Sequence, residues 1–257
     1  MTVKYKYDVV CVGTFQMPSL ECFHMDISGG WEDTMFSFSV IRGDNKTILI
    51  NSGLEDDPSD LNNFFASWHK NVVIKNPVKT IDALAKMNIK PEDIDAILVT
   101  PLTAYTVGSL HHFPKADYYF GKKGWIDFWA GEKDQPRNVP FVFMPDNIRK
   151  YLALNLEGRV KLLEDEHGEV FPGIRAWFAG GHHRSSMAYL VDTEKGVVAL
   201  TDGVFKYANF EKNIPLGIAE NIKENITTFR RLKDEADIVI PPYDTEVLKR
   251  FPGGKIA

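Results

Sequence analysis

The chain has 257 residues, of which 44% are hydrophobic and 25% charged, as in ordinary globular proteins with a sizeable core. Its formal net charge is −5 and its basic residues are scattered, which disfavours nucleic acid and anionic membrane surfaces as partners. Two cysteines are too few for a disulfide framework, and no segment resembles a secretory leader or reaches transmembrane length, so we expect a cytoplasmic protein.

Local patterns in the first half of the chain predict strands followed by helices. Runs rich in β-branched and aromatic residues predict strands at residues 7–12, 35–41, 47–50, 96–100 and 118–120. Apolar residues at helical spacing predict helices at residues 60–70 and 77–87, and in pieces over residues 124–153. A further helix is expected shortly after the strand at 96–100, with Val107, Leu110 and Phe113 on its inner face.

The second half repeats this organisation. Strands are predicted at residues 160–163, 174–178, 187–191, 197–201 and 238–240. A long helix over residues 218–232 carries one apolar stripe, formed by Ile218, Ile222, Ile226, Phe229 and Leu232. A short helix at 245–250 closes the chain. Runs of strands finished by helices indicate two packed sheets with helices outside, and no linker divides residues 1–257, so we expect a single domain.

Several short segments occur in the order and spacing of one known family. The segment at 100–110 follows a buried strand and has the spacing of the loop Thr-His-x-His-x-Asp-His-x-Gly-x-Leu. Six further segments match in order: residues 47–53, 89–95, 180–183, 200–203, 240–244 and 250–254. The chain thus resembles the metallo-β-lactamase superfamily, specifically its N-acyl homoserine lactonase-like branch. The resemblance implies an α/β protein with the αββα sandwich of that fold, in which helices flank two mixed β-sheets.

The metal-binding side chains of that family are mostly replaced. The resemblance implies two metal ions held by five histidines and two aspartates. The matching positions carry Pro101, Thr103, Tyr105, Thr106, His182, Asp202 and Tyr243. Only His182 and Asp202 can ligate a metal, whereas even one catalytic zinc commonly takes three protein ligands. The sequence therefore predicts a degenerate metal site that holds no metal and no other cofactor, and a single non-standard metal stays open as an alternative.

Two neighbouring positions also depart from the family. Phe205 stands where the resembling lactonases carry a tyrosine beyond the bridging aspartate, and a phenyl ring cannot donate a hydrogen bond. Asn51 replaces an aspartate of the Val-Asp-Thr-Gly strand end, which removes the carboxylate that would orient the metal ligands.

The loops that hold metal in the resembling family should still converge on a pocket. We expect His182 to be the catalytic base, Asp202 to orient it, and the catalytic-site residues Tyr105 and Tyr243 to be polar contacts to the substrate. The residues expected to bind substrate are Thr103, Thr106, His183, His24 and Phe205.

The leading prediction is a divergent, hydrolase-like enzyme acting on a small lactone, ester or amide by metal-independent acid–base chemistry. One alternative is a catalytically silent ligand-binding pseudoenzyme. Another is a hydrolase with one unconventional metal, because Cys22, His24 and Asp26 alternate along an N-terminal segment and would share one side if extended. The expected partners are a small-molecule substrate or ligand and, as the resemblance implies, a second copy in a homodimer.

Other aromatic and histidine residues have less specific interpretations. The aromatic residues Trp125, Phe128, Trp129, Phe141 and Phe143 form either a substrate wall or ordinary packing. Trp31 is a candidate for a lid or a subunit contact. His69 and His167 are predicted on the surface, and the pair at 111–112 on the surface or in packing.

Overall fold

In a computed structural model of the chain, the described residues are 3–69, 72–130 and 144–257. Within them the strands are β1 (Lys6–Pro18), β2 (Trp31–Gly43), β3 (Lys46–Ile50), β4 (Ala96–Leu98), β5 (Asp117–Gly121), β6 (Val160–Leu163), β7 (Gly168–Phe171), β8 (Ile174–Phe178), β9 (Met187–Thr193), β10 (Gly196–Leu200) and β11 (Ile238–Ile240). The α-helices are α1 (Ser19–Cys22), α2 (Ser59–Trp68), α3 (Thr80–Lys86), α4 (Ala104–Val107), α5 (Lys122–Ala130), α6 (Asp146–Arg159), α7 (Tyr207–Lys212), α8 (Ile222–Glu235) and α9 (Glu246–Arg250). Single 3₁₀ turns occur at Pro91–Asp93, Leu110–His112 and Pro252–Gly254.

The strands form two mixed sheets. The first has the order β1-β2-β3-β4-β5-β6, antiparallel between β1, β2 and β3 and parallel from β3 to β6. The second has the order β11-β10-β9-β8-β7, in which only β10 and β11 run parallel. The hairpin between β2 and β3 turns at Asp44 and Asn45, both with positive φ, as expected for a tight turn.

Alternation along the strands builds the layers. Ile41, Ile48 and Ile50 lie in the core between the two sheets, whereas their neighbours Val40 and Leu49 face the opposite side, where helices cover the first sheet. A third apolar cluster packs α8 onto the outer face of the second sheet. The described residues therefore form the αββα sandwich with two mixed sheets that the sequence predicts.

Most predicted elements are present, with differences where local pattern misleads. Val107, Leu110 and Phe113 are buried as predicted. The prediction that they lie on a single helix is wrong, because the chain forms α4 and then a separate 3₁₀ turn. Gly108, between them, packs closely on the backbone of Leu54 and Glu55. The strand β7 and the helix α7 were not predicted.

The long helix begins later than predicted. It starts after Asn221, whose side chain accepts hydrogen bonds from the backbone N–H groups of Lys223 and Glu224. Its buried face includes the polar residues Asn225 and Thr228 beside two apolar residues of the predicted stripe, whereas Ile222 is exposed.

The connections at one end of the sandwich meet above the sheets. They follow the carboxyl ends of β4 in the first sheet and of β8, β10 and β11 in the second, and a hydrogen bond from Thr100 to Asp202 joins the two sheets at this end. Among the helices of the described ranges, none has both the length and the apolar composition needed to cross a bilayer.

Candidate functional site

A cavity of about 170 Å³ lies where these connections meet. Its lining comes mainly from aromatic and aliphatic side chains, with a few histidines and carboxylic acids. The lining residues are Phe15, Gln16, Met17, Glu21, Phe36, Phe64, Phe65, His69, Val72, Tyr105, His182, His183, Phe205, Ile218, Glu220 and Tyr243. A largely apolar cavity with a few convergent polar groups is the usual form of a small-molecule site.

A buried histidine–carboxylate pair forms the deepest polar part of this site. His182 Nδ1 lies 2.9 Å from Asp202 Oδ2, and the two side chains are 2% and 0% exposed. Asp202 also accepts hydrogen bonds from the hydroxyls of Ser186 and Thr100, each at 2.6 Å. The loops after β4, β8 and β10 are thereby joined at one carboxylate.

The surroundings fix the protonation of both groups. Burial would raise the pKa of Asp202, but its hydrogen bonds, led by that from His182, outweigh burial and lower the pKa. Burial, aided by the neighbouring His183, lowers the pKa of His182 to about 4. Since a carboxylate only accepts hydrogen bonds, Nδ1 of the neutral His182 carries the proton. The other ring nitrogen, Nε2, is left unprotonated for a molecule in the cavity.

Two tyrosines line the cavity near this pair. Tyr105 and Tyr243 meet edge to face, with ring centroids 5.9 Å apart, and Phe205 contacts the rings of both Tyr243 and His182. Burial, reinforced by Tyr105 and Asp202, holds the pKa of Tyr243 well above its ordinary value. Tyr243 is 5% exposed; its hydroxyl interacts with the Tyr105 phenol but makes no well-formed hydrogen bond with any described side chain or backbone group. A buried hydroxyl of this kind is a candidate donor to a ligand.

The two threonines predicted to bind substrate do not line the cavity. Thr106 Oγ1 lies 2.8 Å from the Thr103 carbonyl and 2.5 Å from that of Pro101, and 3.2 Å from Thr103 Oγ1. Their hydroxyls thus stabilise their own loop, at sequence positions where the resembling family carries metal ligands.

Asn51 has a related structural role. Its side-chain amide donates to the Thr100 carbonyl and accepts from the Thr100 N–H, both at 2.8 Å. The replacement of an aspartate by asparagine therefore fixes the strand end that presents the Thr100 hydroxyl to Asp202.

Two further histidine–carboxylate pairs line the cavity nearer the solvent. His183 Nδ1 lies 3.1 Å from Glu220 Oε1, with side chains 18% and 34% exposed. His69 Nε2 lies 2.7 Å from Glu21 Oε1, with side chains 18% and 16% exposed. The prediction that His69 is a surface residue is wrong, because its side chain is mostly buried and lines the cavity, and neither Glu21 nor Glu220 was predicted. We call these two pairs the mouth pairs.

Their sequence signals were weak. His69 directly follows α2, and Glu220 directly precedes the cap of α8, so both lie at helix ends that only the tertiary fold brings to the cavity. Trp31, predicted as a lid or subunit contact, is half exposed, and its ring lies nearly perpendicular to that of His69 with centroids 6.0 Å apart.

The predicted N-terminal metal cluster is not assembled. His24 is exposed and does not line the cavity, contrary to its predicted substrate contact, while Cys22 is buried and burial raises its pKa to about 12. Asp26 instead caps its own turn by accepting from the Ser28 N–H.

The aromatic residues near residue 125 pack rather than line the cavity. Trp125 contacts Phe120 and Trp129, and Phe128 contacts Trp129. Phe141 and Phe143, which were grouped with them, lie outside the described residues. The aromatic wall of the cavity comes instead from Phe15, Phe36, Phe64 and Phe65, from β1, β2 and α2.

Several hydrolases are among the solved structures that match this architecture. An N-acyl homoserine lactone hydrolase, with the product N-hexanoyl-L-homoserine at its catalytic metal centre, superimposes with a TM-score of 0.77 at 18% identity, over 98% of this chain and 99% of its own. AidC, a dizinc quorum-quenching lactonase, superimposes with a TM-score of 0.70 at 13% sequence identity, over 98% of this chain and 90% of its own. AbOPH, a hydrolase of the beta lactamase superfamily, superimposes with a TM-score of 0.67 at 16% sequence identity, over 97% of this chain and 89% of its own. No family model and no curated protein sequence matches the chain. The chain thus has the metallo-β-lactamase fold, as its resemblance implied.

These comparisons correct the expectation that no cofactor is involved. The matched structures include one with a catalytic metal centre and one described as dizinc, so absence of a cofactor does not follow from this fold. The side chains present here do not fit a two-metal centre, however. Both Asp202 oxygens are engaged by protein donors, and within the described ranges no three His, Cys, Asp or Glu side chains are grouped to hold an ion.

Proposed function

We propose that this protein is a hydrolase of a small carbonyl compound, a lactone, ester or amide, in which His182 transfers the proton. The observation that carries the proposal is the buried His182–Asp202 pair at the inner end of a small cavity. The hydrolases that share the fold support the reaction class, and the proton-transfer step is derived from this chain's own side chains.

His182 is arranged as a general base. Its neutral ring, held by Asp202 through Nδ1–H, presents Nε2 to a water molecule beside the substrate carbonyl. Nε2 accepts a proton from the water as its oxygen bonds to the carbonyl carbon, and the carbonyl π electrons move to oxygen. The resulting imidazolium lies beside the Asp202 carboxylate and returns the proton to the leaving group when the tetrahedral intermediate collapses.

Tyr243 is placed to stabilise the negative oxygen. Its raised pKa keeps the phenol protonated, and apart from its interaction with the Tyr105 phenol its hydroxyl makes no well-formed hydrogen bond with a described group. A hydrogen bond that forms only as charge develops on the carbonyl oxygen lowers the barrier without tightening substrate binding equally. Tyr105, edge-on to Tyr243, fixes the orientation of that ring.

The aromatic wall is suited to the apolar part of the substrate. Phe15 and Phe36 stack with centroids 4.3 Å apart, and Tyr105 and Phe65 extend the stack from Phe36 at 5.0 and 6.1 Å. Because these rings already support one another, they form a rigid surface that needs little ordering when a ligand binds.

A catalytically silent ligand-binding protein is the second candidate. The observation in its favour is the loop at 101–106, whose threonine hydroxyls bond within the loop rather than facing the cavity. The third candidate, a hydrolase with one unconventional metal, is distinguished by metal analysis of purified protein alongside activity.

The test is hydrolysis of short esters and γ-lactones by the wild-type protein and by His182→Gln. Loss of a general base typically costs about 10²–10⁴-fold in turnover, and we expect that loss here with ligand binding retained. The matched control is His167→Gln, which changes a partly exposed histidine outside the cavity lining that accepts from the Glu164 N–H. Equal loss in both variants, no turnover by the wild type, or activity that follows the content of a bound metal would contradict the proposed role of His182.

A further inference from the structure

Two hydroxyl groups outside the cavity lining share the Asp202 carboxylate with His182. The Thr100 hydroxyl lies 2.6 Å from Asp202 Oδ1, and the Ser186 hydroxyl lies 2.6 Å from Oδ2, the oxygen that also bonds His182 Nδ1. All four residues are almost fully buried, and neither hydroxyl residue lines the cavity. Bulk water therefore does not compete for these bonds, and neither hydroxyl is placed to touch a substrate.

The backbone fixes the direction in which each hydroxyl donates. Thr100 Oγ1 accepts from the Met187 N–H at 2.9 Å, and Ser186 Oγ accepts from the His183 N–H at 3.0 Å. A hydroxyl has only one proton to donate, and Thr100 Oγ1 also lies 2.8 Å from the Met187 carbonyl. Because a hydrogen bond to a carboxylate is about twice as strong as one to a neutral oxygen, this proton goes to Asp202. Both hydroxyls are thus oriented donors to the carboxylate.

The two donors hold the carboxylate of Asp202 at both of its oxygens. The torsion about the Cβ–Cγ bond of an aspartate has broad minima, so an unsupported carboxylate takes a range of orientations. Here a rotation would draw Oδ1 away from Thr100 and Oδ2 away from Ser186 at the same time. With the carboxylate fixed, its bond to Nδ1 also fixes the ring of His182.

The segments that carry the two hydroxyls are themselves held by hydrogen bonds. Thr100 follows β4 of the first sheet, and both of its backbone polar groups bond the side chain of Asn51. Ser186 precedes β9 of the second sheet; its N–H donates to the His183 carbonyl at 3.0 Å, and its carbonyl accepts from the Ala179 N–H at 2.9 Å. The carboxylate is therefore held between fixed points on both sheets.

Resting on the proposed function, in which the His182 ring transfers the proton, we propose that Thr100 and Ser186 are positioning residues. They hold Asp202 in the one orientation in which it fixes the imidazole ring for proton transfer. A displacement of about 1 Å between reacting groups is enough to cost on the order of 10²-fold in rate. The two hydroxyls should therefore affect turnover although neither contacts the substrate.

Kinetics on matched variants test this role. Thr100→Val and Ser186→Ala each remove a donor to Asp202, whereas the controls Thr80→Val and Ser109→Ala remove buried hydroxyls that donate to backbone carbonyls elsewhere. We expect kcat to fall by about 10- to 100-fold in the first pair, with KM changed less than about twofold, and to stay within about twofold of the wild type in the controls. Thr100→Ser keeps the hydroxyl and should restore most of kcat.

Three results would overturn the proposal. The first is the same kcat in the two pairs of variants, and the second is a Thr100→Ser variant no more active than Thr100→Val. The third is loss of folding by both Thr100→Val and Ser186→Ala while the controls fold, because the hydroxyls would then serve the fold alone.

Hydrogen exchange of the His182 ring separates this inference from the proposed function, because it does not require turnover. Nuclear magnetic resonance of histidine-labelled protein, with His182→Gln to assign the signal, follows the Nδ1 proton. In Thr100→Val and Ser186→Ala this proton should exchange with water about tenfold faster than in the wild type or the controls. If it does so but no ester or lactone is hydrolysed, the proposed function fails while the ring is still held by the two hydroxyls. Unchanged exchange in both variants would overturn the proposal.

Discussion

Removing the His182 ring from water favours its neutral form, because burial penalises the imidazolium more than the Asp202 carboxylate stabilises it. A histidine that is neutral at every pH near 7 can always accept a proton. The imidazolium becomes favourable only as charge develops next to it during reaction. The environment thus serves proton transfer, whereas a histidine that served packing alone would not need a cavity beside it.

The same shift predicts how stability depends on pH. The pKa of His182 is about 4 in the folded protein and about 6.5 when unfolded, so between these values the unfolded chain binds the proton and the folded one does not. The contribution of His182 to the free energy of unfolding should therefore be at its full value above about pH 6.5. It should fall by on the order of 2–3 kcal/mol as the pH is lowered towards 4.

Urea denaturation at several pH values measures this loss. His182→Gln should show a shallower decline than the wild type over the same range. His111, whose pKa is also lowered, mainly by burial, contributes to both proteins and cancels in the comparison. Parallel curves for the two proteins would show that His182 is not held neutral by the fold.

Tyr243→Phe separates catalysis from stability. Removal of the hydroxyl breaks no well-formed hydrogen bond among the described groups and ends only its interaction with the Tyr105 phenol, so the melting temperature should stay the same or rise. Loss of an oxyanion donor should lower kcat by about 10²-fold with little change in KM. Steady-state kinetics and thermal melts on one preparation check both parts. Tyr151→Phe, which removes a hydroxyl bonded to Tyr118, is the control and should lower stability instead.

At the scale of single elements, α8 connects the site loops through polar side chains. Asn225 donates to the Gly203 carbonyl and accepts from the Leu216 N–H, and Thr228 donates to the Ala179 carbonyl. These bonds fix the loops that carry Asp202, Phe205 and His182. The helix is therefore part of the support of the site as well as of the outer core.

Asn225→Ala should consequently destabilise the protein more than an ordinary helix substitution. It leaves a buried N–H and a buried carbonyl without partners, each worth about 1–3 kcal/mol. Thr227→Ala, on the exposed side of the same helix, should change the free energy of unfolding by no more than about 0.5 kcal/mol. Chemical denaturation of the two variants measures the difference, and equal effects would show that Asn225 does not hold the loops.

The polar residues of α8 also show the limit of sequence reasoning about elements. The apolar stripe predicted the helix and its burial at Phe229 and Leu232. Asn225 and Thr228 are polar, so the sequence pattern alone does not indicate that they are buried against the loops. Likewise, the spacing of Val107, Leu110 and Phe113 indicates burial correctly, yet two short turns satisfy it as well as one helix.

At the scale of the whole molecule, the two sheets determine where the chemistry lies. Residues from four separate loops meet because the carboxyl ends of β4, β8, β10 and β11 lie at one end of the sandwich. Motif position was enough to group Tyr105, His182, Asp202 and Tyr243 from sequence. The mouth pairs were not predictable in this way, because no local pattern places a histidine at the end of α2 beside Glu21.

The most direct measurement is the pH dependence of kcat/KM for the best ester or lactone substrate, with His182→Gln alongside. Because the pKa of His182 is about 4, nearly all of this histidine is in its neutral, proton-accepting form well below pH 7. We predict that kcat/KM rises to a plateau with an apparent pKa near 4, and that the variant loses both the activity and the inflection. Two results would contradict the assignment of His182 as the base. One is a wild-type profile of kcat/KM without an inflection near pH 4, and the other is the same inflection in His182→Gln.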